Sequence, residues 1–167
     1  MAKRGFTLAE ILIAIVAIGV LAAGIMVFLD PAVRLQKARD IQRKSDLSQI
    51  QKAAEQYYRD IGNYPVSTSD YKIKKSDSSD AVEWGSSWLP YMSNLPKDPS
   101  SPSKNYAYKS TSNGQTYYLY ASLDRGGNDP QACFSNGNAC SSAVTNNVTA
   151  ACGGNCNYGI SSPNVSP

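Results

Sequence analysis

Glu10 is the residue of this 167-residue chain most suited to a specific chemical role, because it is a single acid inside an apolar segment. After Lys3 and Arg4, Glu10 is the only charged residue before Asp30. A carboxylate within a membrane-length helix costs on the order of 2.5–3.5 kcal/mol at the bilayer centre, and less near an end. Glu10 is therefore a candidate functional residue, and its expected partner is a cation supplied by a neighbouring chain.

The segment that positions Glu10 runs from Phe6 to Leu29, which is 24 residues. As a helix it would span roughly 36 Å, enough to cross a bilayer core of about 30 Å. Lys3 and Arg4 predict a cytoplasmic start, with the rest of the chain beyond the membrane. A cleaved secretory signal fits poorly, because the apolar run is too long and has no small-residue site at its end. An uncleaved signal anchor stays open on these features alone.

Residues 3–10, Lys-Arg-Gly-Phe-Thr-Leu-Ala-Glu, resemble the class III leader of type IV prepilins and type II secretion pseudopilins. In that family a membrane-bound prepilin peptidase cuts after the glycine, and the new terminal residue is N-methylated. The resemblance places the cut between Gly5 and Phe6 and makes residues 1–5 the leader. It also implies that Glu10 pairs with the new Phe6 amine of an adjacent subunit during assembly.

The resemblance implies an α+β, type IV pilin-like fold, with one long amino-terminal helix packed on a small antiparallel sheet. Residues 6–30 would form the membrane-spanning and filament-core half of that helix. Asp30-Pro31 could bend it, because proline removes a backbone donor. Residues 31–62 would form an amphipathic half that Gly62 ends.

The amphipathic half carries an apolar stripe at steps of three and four residues, which predicts a buried face. Asp40 and Lys44, an acid-first pair four residues apart, are predicted to interact along the helix surface. The stripe consists of Leu47, Ile50, Ala54, Tyr57 and Ile61.

Residues 63–104 are predicted to be an irregular connection, rich in Ser, Asp and Pro, whose tryptophans pack on the helix. Residues 105–130 are predicted to form the sheet, because two tyrosine-rich runs flank the turn signal Asn113-Gly114. Tyr106 and Tyr108 should share one face of a strand, and such a set can pack on the helix. Tyrosine platforms also bind sugars and bases, but no basic groove accompanies them, so direct nucleic-acid binding is not expected.

A short acidic turn follows the second predicted strand. Oxygen ligands on a glycine-containing turn suit calcium, and many pseudopilins bind calcium in a loop placed like this one. The spacing does not match an EF-hand and Arg125 adds positive charge, so a metal-free turn is the favoured interpretation. If calcium is bound, the candidate ligands are Asp124, Asn128 and Asp129, with backbone carbonyls; no other cofactor is expected.

Residues 131–167 are predicted to be an irregular tail that contains all four cysteines, which fits an oxidising, extracytoplasmic compartment. So little apolar material cannot offset the entropy of ordering this tail, and disulfides would help. Cys133–Cys140 with Cys152–Cys156 is favoured because both bonds close short loops. The crossed pairing, Cys133–Cys152 with Cys140–Cys156, stays open. A four-cysteine zinc site is the rival, but the spacing fits no common zinc ribbon.

Catalysis finds no support in the sequence, which has no histidine, no phosphate-binding glycine loop and no evident nucleophile–base pair. The resemblance implies a structural subunit, first held as a single-pass protein of the cytoplasmic (inner) membrane with its soluble domain outside. An inner-membrane platform would then assemble it with copies of itself and related pilins into an extracellular filament.

The predicted function is a type IV pilus subunit for adhesion, motility or DNA uptake, which the cysteine-containing tail favours. A pseudopilin of a type II secretion system is one alternative, favoured by the stretch Leu95-Pro96-Lys97-Asp98-Pro99. The other alternative is a membrane-tethered extracellular binding module that does not polymerise.

Overall fold

A computed structural model of the chain describes residues 5–74 and 80–167. Lys3 and Arg4 of the predicted leader lie outside the described residues. The chain divides into two compact units, with the boundary between Gln36 and Lys37.

The first helix, α1, spans Leu8–Leu29 and is 22 residues long. Within it, Leu8–Ile25 is long and apolar enough to cross a membrane, and none of this stretch is buried inside the structure. A helix that is apolar on every side needs an apolar environment around it. By length and composition, α1 therefore meets the requirement for a membrane span.

The predicted long helix is interrupted at one residue, so the chain has two helices in place of one. Asp30 adopts a left-handed conformation, with φ 33° and ψ 78°. Helix α2, Pro31–Ile61, follows directly and is 31 residues long. Proline suits a first helical position, because its missing N–H would have no partner in the helix. The Asp30 carboxylate accepts a hydrogen bond from the Val33 N–H at 3.3 Å, as an N-cap does.

Helix α2 ends where the sequence predicts. Gly62 has φ +83°, and its N–H donates to the Tyr58 carbonyl at 2.7 Å. Glycine is favoured here because it adopts a left-handed conformation without a side-chain clash.

Two small antiparallel sheets follow α2. Strands β1 (Ile73–Lys74) and β2 (Ala81–Val82) form one pair. The larger sheet has the order β3–β4–β5, and its strands are Ala107–Ser110, Tyr117–Ala121 and Tyr158–Ser161.

The β3–β4 hairpin confirms the turn prediction. Tyr108 lies opposite Leu119 in the register, and Gly114 in the intervening turn has φ +64°. A glycine tolerates that left-handed angle readily.

One face of the larger sheet packs on α2, as predicted. Ile61 is the exception in the predicted stripe: it is 53% exposed, because α2 ends at this residue and Gly62 turns the chain away. Apolar burial of this kind is the main favourable term in folding. The buried residues of this core are Leu47, Ile50, Ala53, Ala54, Tyr57, Tyr64, Ile73, Val82, Trp88, Leu95, Tyr106, Tyr108, Tyr117, Leu119 and Ala121.

The carboxyl-terminal segment covers the opposite face of the sheet, so the prediction of an irregular tail is wrong there. It contains helix α3, Ser141–Thr145, and β5, which pairs with β4. Strand β5 gave no clear sequence signal, because a glycine interrupts its four residues and only pairing with β4 defines it. The second core consists of Ala107, Tyr120, Cys140, Ala143, Val148, Cys152 and Cys156.

Two disulfides crosslink this covering segment. Cys133 bonds to Cys140, and Cys152 bonds to Cys156. This is the pairing that closes two short loops, and all four cysteines are used, so neither the crossed pairing nor the zinc site applies.

Candidate functional site

The predicted processing site lies in an exposed, non-helical segment before α1. Gly5, Phe6 and Thr7 precede the first helical residue. Phe6 is 84% exposed, and a side chain added at Gly5 would meet no heavy atom within 4 Å. Exposed chain outside regular structure is where proteases cut most readily. The Gly5–Phe6 bond lies outside regular secondary structure.

Glu10 closes a capping box at the start of α1. Its Oε2 accepts hydrogen bonds from the Thr7 N–H and the Thr7 hydroxyl, both at 2.8 Å. In return, the Thr7 Oγ1 accepts from the Glu10 N–H at 3.3 Å. This arrangement satisfies two backbone donors of the helix and places a carboxylate where the helix dipole favours negative charge.

Thr7 was not identified from the sequence as the N-cap of α1, although the capping-box pattern is present in the sequence. A Ser or Thr followed three residues later by Glu, just before an apolar run, is the pattern of a capping box. Both Thr7 and Glu10 follow the Gly5–Phe6 bond, so cutting that bond would leave both residues of the box in the mature chain.

The calcium candidate Asp124 lies in an ion cluster at the end of β4. Its carboxylate oxygens are 2.8 Å from Arg39 Nε, 2.6 Å from Lys104 Nζ and 3.2 Å from Arg43 Nη1. Burial alone would raise the pKa of Asp124. Hydrogen bonds from Lys104 and Arg39, and the Arg43 charge, outweigh burial and lower this pKa to about 2.

Arg43 is the centre of this cluster, and its side chain is fully buried. It binds both carboxylate oxygens of Asp98, at 2.9 and 3.1 Å, and Asp40 at 2.8 Å. Burial alone would lower the pKa of Arg43, but the carboxylates of Asp98, Asp40 and Asp124 outweigh it and raise the pKa. The bidentate contact between Arg43 and Asp98 is among the stronger hydrogen-bonding arrangements in proteins.

The predicted Asp40–Lys44 pair is wrong. Asp40 bonds to Arg43 and also accepts the backbone N–H groups of Asp124 and Arg125, at 2.7 and 2.9 Å. Lys44 reaches the other end of the same loop, where its Nζ is 2.6 Å from the Asp129 carboxylate. Tertiary contacts from the buried side of α2 outcompete a weak pairing along the helix surface.

The calcium candidates do not fit a metal site in this arrangement. Asp124 and Asp129 are each paired with cations of the chain itself, and Asn128 is an exposed residue at the end of a 3-10 turn, Gly126–Asn128. Among the residues that the structure describes, no group of three or more acidic, Cys or His side chains could hold a metal ion.

Two known families match the chain. The family described as type II secretion system (T2SS), protein G, matches residues 32–138, which is more than half of the sequence. The prokaryotic N-terminal methylation motif matches residues 1–26. The first match includes the β3–β4 hairpin and the loop after it, and the second includes the predicted leader and most of α1. No curated protein and no solved structure matches the chain.

Replacing Asp124 by Asn tests the ion cluster. The folded pKa of about 2 lies below the ordinary 3.8, so this charge stabilises the fold fully above pH 3.8 and loses its effect as the pH falls towards 2. Asp124→Asn should lower the free energy of unfolding at neutral pH by on the order of 2 kcal/mol. It should also flatten the decline of that free energy between about pH 4 and pH 2.

Urea unfolding followed by circular dichroism across this pH range measures both effects. Asp60→Asn, at an exposed carboxylate of α2, is the control and should keep the steeper decline. A wild-type stability profile in Asp124→Asn would contradict the role given to the cluster.

Proposed function

The chain belongs to the type II secretion system protein G family, which makes it a filament subunit with a prepilin-type leader, and we propose that its filament is a type IV pilus. The proposal rests on the disulfide-crosslinked segment that covers the sheet. Two disulfides crosslink the segment that covers the sheet face opposite α2. Crosslinks of this type limit unfolding of a layer that has little apolar core of its own, which suits an outer surface exposed to the medium.

The proposed assembly proceeds through α1. Before assembly, the apolar helix holds the subunit in the inner membrane as a single-pass protein. A prepilin peptidase cuts after Gly5 and leaves a charged amine on Phe6, which is then N-methylated. On the assembly platform, α1 leaves the lipid and packs among the helices of neighbouring copies and related pilins.

Glu10 sets the register of this packing in the proposed filament. A carboxylate moved into a helical bundle stays costly unless it meets a cation. The new Phe6 amine of an adjacent subunit supplies that cation near the start of α1. One axial position then satisfies both charges, whereas packing of apolar side chains alone specifies the position less sharply.

A pseudopilin of a type II secretion system is the second candidate, because the matching family is described as protein G of that system. The stretch Leu95-Pro96-Lys97-Asp98-Pro99 also favours it. Asp98 of this stretch holds the buried Arg43, so the stretch has a structural role in either filament.

Electron microscopy of sheared surface material, with an antibody to residues 131–167, tests which filament is formed. Long labelled fibres are expected for the pilus. Label confined to a complex that crosses the envelope would contradict the pilus and favour the pseudopilin. Label in neither structure would favour a tethered binding module that does not polymerise.

Replacing Gly5 tests the processing site. Gly5→Leu should leave the precursor uncut, because a bulky side chain beside the scissile bond prevents the close approach that glycine allows. Mass spectrometry of the amino terminus would then find the leader still attached. Gly19→Leu makes the same change inside α1, where added bulk also meets open space, and should be processed. A correctly cut Gly5→Leu protein would contradict the assigned cleavage site.

Replacing Glu10 separates its charge from its role in the cap. Glu10→Ala should still insert in the membrane but should enter filaments poorly, as judged by the ratio of sheared to membrane-bound protein. Glu10→Gln keeps an acceptor for Thr7 and lacks the charge, so it should also assemble poorly. Thr7→Val removes the threonine hydroxyl and keeps the charge, so it should assemble. Normal assembly of Glu10→Gln would contradict the ion pair.

A further inference from the structure

The loop after β4, residues 124–129, has the composition of a calcium-binding loop. Lysine and arginine side chains of the protein, however, supply the positive charge that pairs with its carboxylates. Calcium in proteins takes six to eight oxygen ligands, and carboxylates supply most of the negative charge that holds it. Such a site needs carboxylates that no other cation already neutralises. Asp124 and Asp129 are the two carboxylates of this loop.

At the first end of the loop, the chain supplies three cations to Asp124. Lys104 donates to its Oδ1 at 2.6 Å and to the Ser122 carbonyl at 3.0 Å. Arg39 and Arg43 complete the set at 2.8 and 3.2 Å. Lys104 thus binds both a side-chain oxygen and a backbone carbonyl beside the loop, the two ligand types that calcium would use.

The charges in this cluster balance. Three cations, Arg39, Arg43 and Lys104, face three carboxylates, Asp40, Asp98 and Asp124. A calcium ion at Asp124 would lie close to three positive groups in a mostly buried setting, where screening by water is weak. Binding there would require at least one of these cations to leave its carboxylate.

At the second end of the loop, Lys44 takes the same role. Its Nζ lies 2.6 Å from both oxygens of Asp129 and 3.0 Å from Gln131 Oε1. The same ammonium group lies 5.6 Å from the centre of the Tyr158 ring, a distance at which the ring face attracts a cation. Asp129 is therefore neutralised as well.

The backbone of the loop is also fixed by groups of the protein. Asp40 accepts the N–H groups of Asp124 and Arg125. On the other side, Asn157 accepts from the Leu123 N–H at 2.8 Å and donates to the Leu123 carbonyl at 3.3 Å. A Cβ atom added at Gly126 would overlap the Asn157 side-chain amide, so this close packing favours glycine.

We infer that Arg39, Arg43, Lys44 and Lys104 hold this loop in place of calcium, so that the protein folds and stays folded without the metal. Their charges come from α2 and from the connection before β3, and they therefore fix the loop to the rest of the domain. The inference goes beyond the proposed function and holds for either kind of filament.

Calcium titration of the full-length protein in detergent micelles tests the inference directly. Isothermal titration calorimetry with calcium chloride is expected to show no saturable heat. Thermal unfolding should give the same Tm in calcium chloride and in EGTA, because only a ligand that binds the folded state raises Tm. Saturable calcium binding, or a higher Tm in calcium than in EGTA, would overturn the inference.

A lysine variant tests whether the cationic side chains stabilise the loop. Lys104→Met removes one ammonium group and keeps most of the side-chain length, so it should lower Tm equally in calcium chloride and in EGTA. Lys52→Met makes the same change at an exposed position of α2 and should leave Tm unchanged. A wild-type Tm for Lys104→Met would overturn the role of the cations, whatever the calcium titration gives.

Discussion

The larger compact unit, Lys37–Pro167, depends on one buried positive charge. The Arg43 guanidinium has no exposed surface, and a buried charge without partners is strongly destabilising. Its carboxylate partners come from three separate segments: Asp40 from α2, Asp98 from the connection before the sheet, and Asp124 from the loop after β4. The charge is satisfied only when these segments meet, so Arg43 links the helix, the connection and the end of the hairpin.

The three-stranded sheet uses its two faces for different kinds of packing. The face towards α2 is dominated by aromatic rings, such as the stacked pair Tyr108 and Tyr117, whose ring centres are 5.8 Å apart. This face buries much apolar area. The opposite face carries small residues and Tyr120 beneath a segment with few large apolar side chains. Disulfides compensate for that poor core, because they restrict the unfolded segment. The apolar helix face and the crosslinked covering layer therefore stabilise one sheet by different means.

Glu10 contrasts with the acidic residues of the larger unit. Asp40, Asp98 and Asp124 find cations within their own chain. Among the described residues, the contacts of Glu10 are hydrogen bonds from Thr7, which stabilise the helix start and bring no opposite charge. In the proposed filament this difference has a use: charges paired inside the chain maintain the fold, and the Glu10 charge, paired with a neighbouring subunit, would set the axial register of the helices.

The sequence by itself determined the features that a few neighbouring residues encode. These are the length and polarity of α1, most of the buried stripe of α2 and the β3–β4 hairpin. At Asp30-Pro31 the sequence predicted a bend within one long helix, whereas the structure ends α1 at Leu29 and begins α2 at Pro31. Only the tertiary structure decided the burial of Arg43, the partners of Asp40 and the pairing of β5. The physical reason is distance along the chain: Arg43 and Asp98 are 55 positions apart, and Asp40 and Asp124 are 84 positions apart. Along the helix alone, Arg43 resembles any solvated cation, and only packing removes its water.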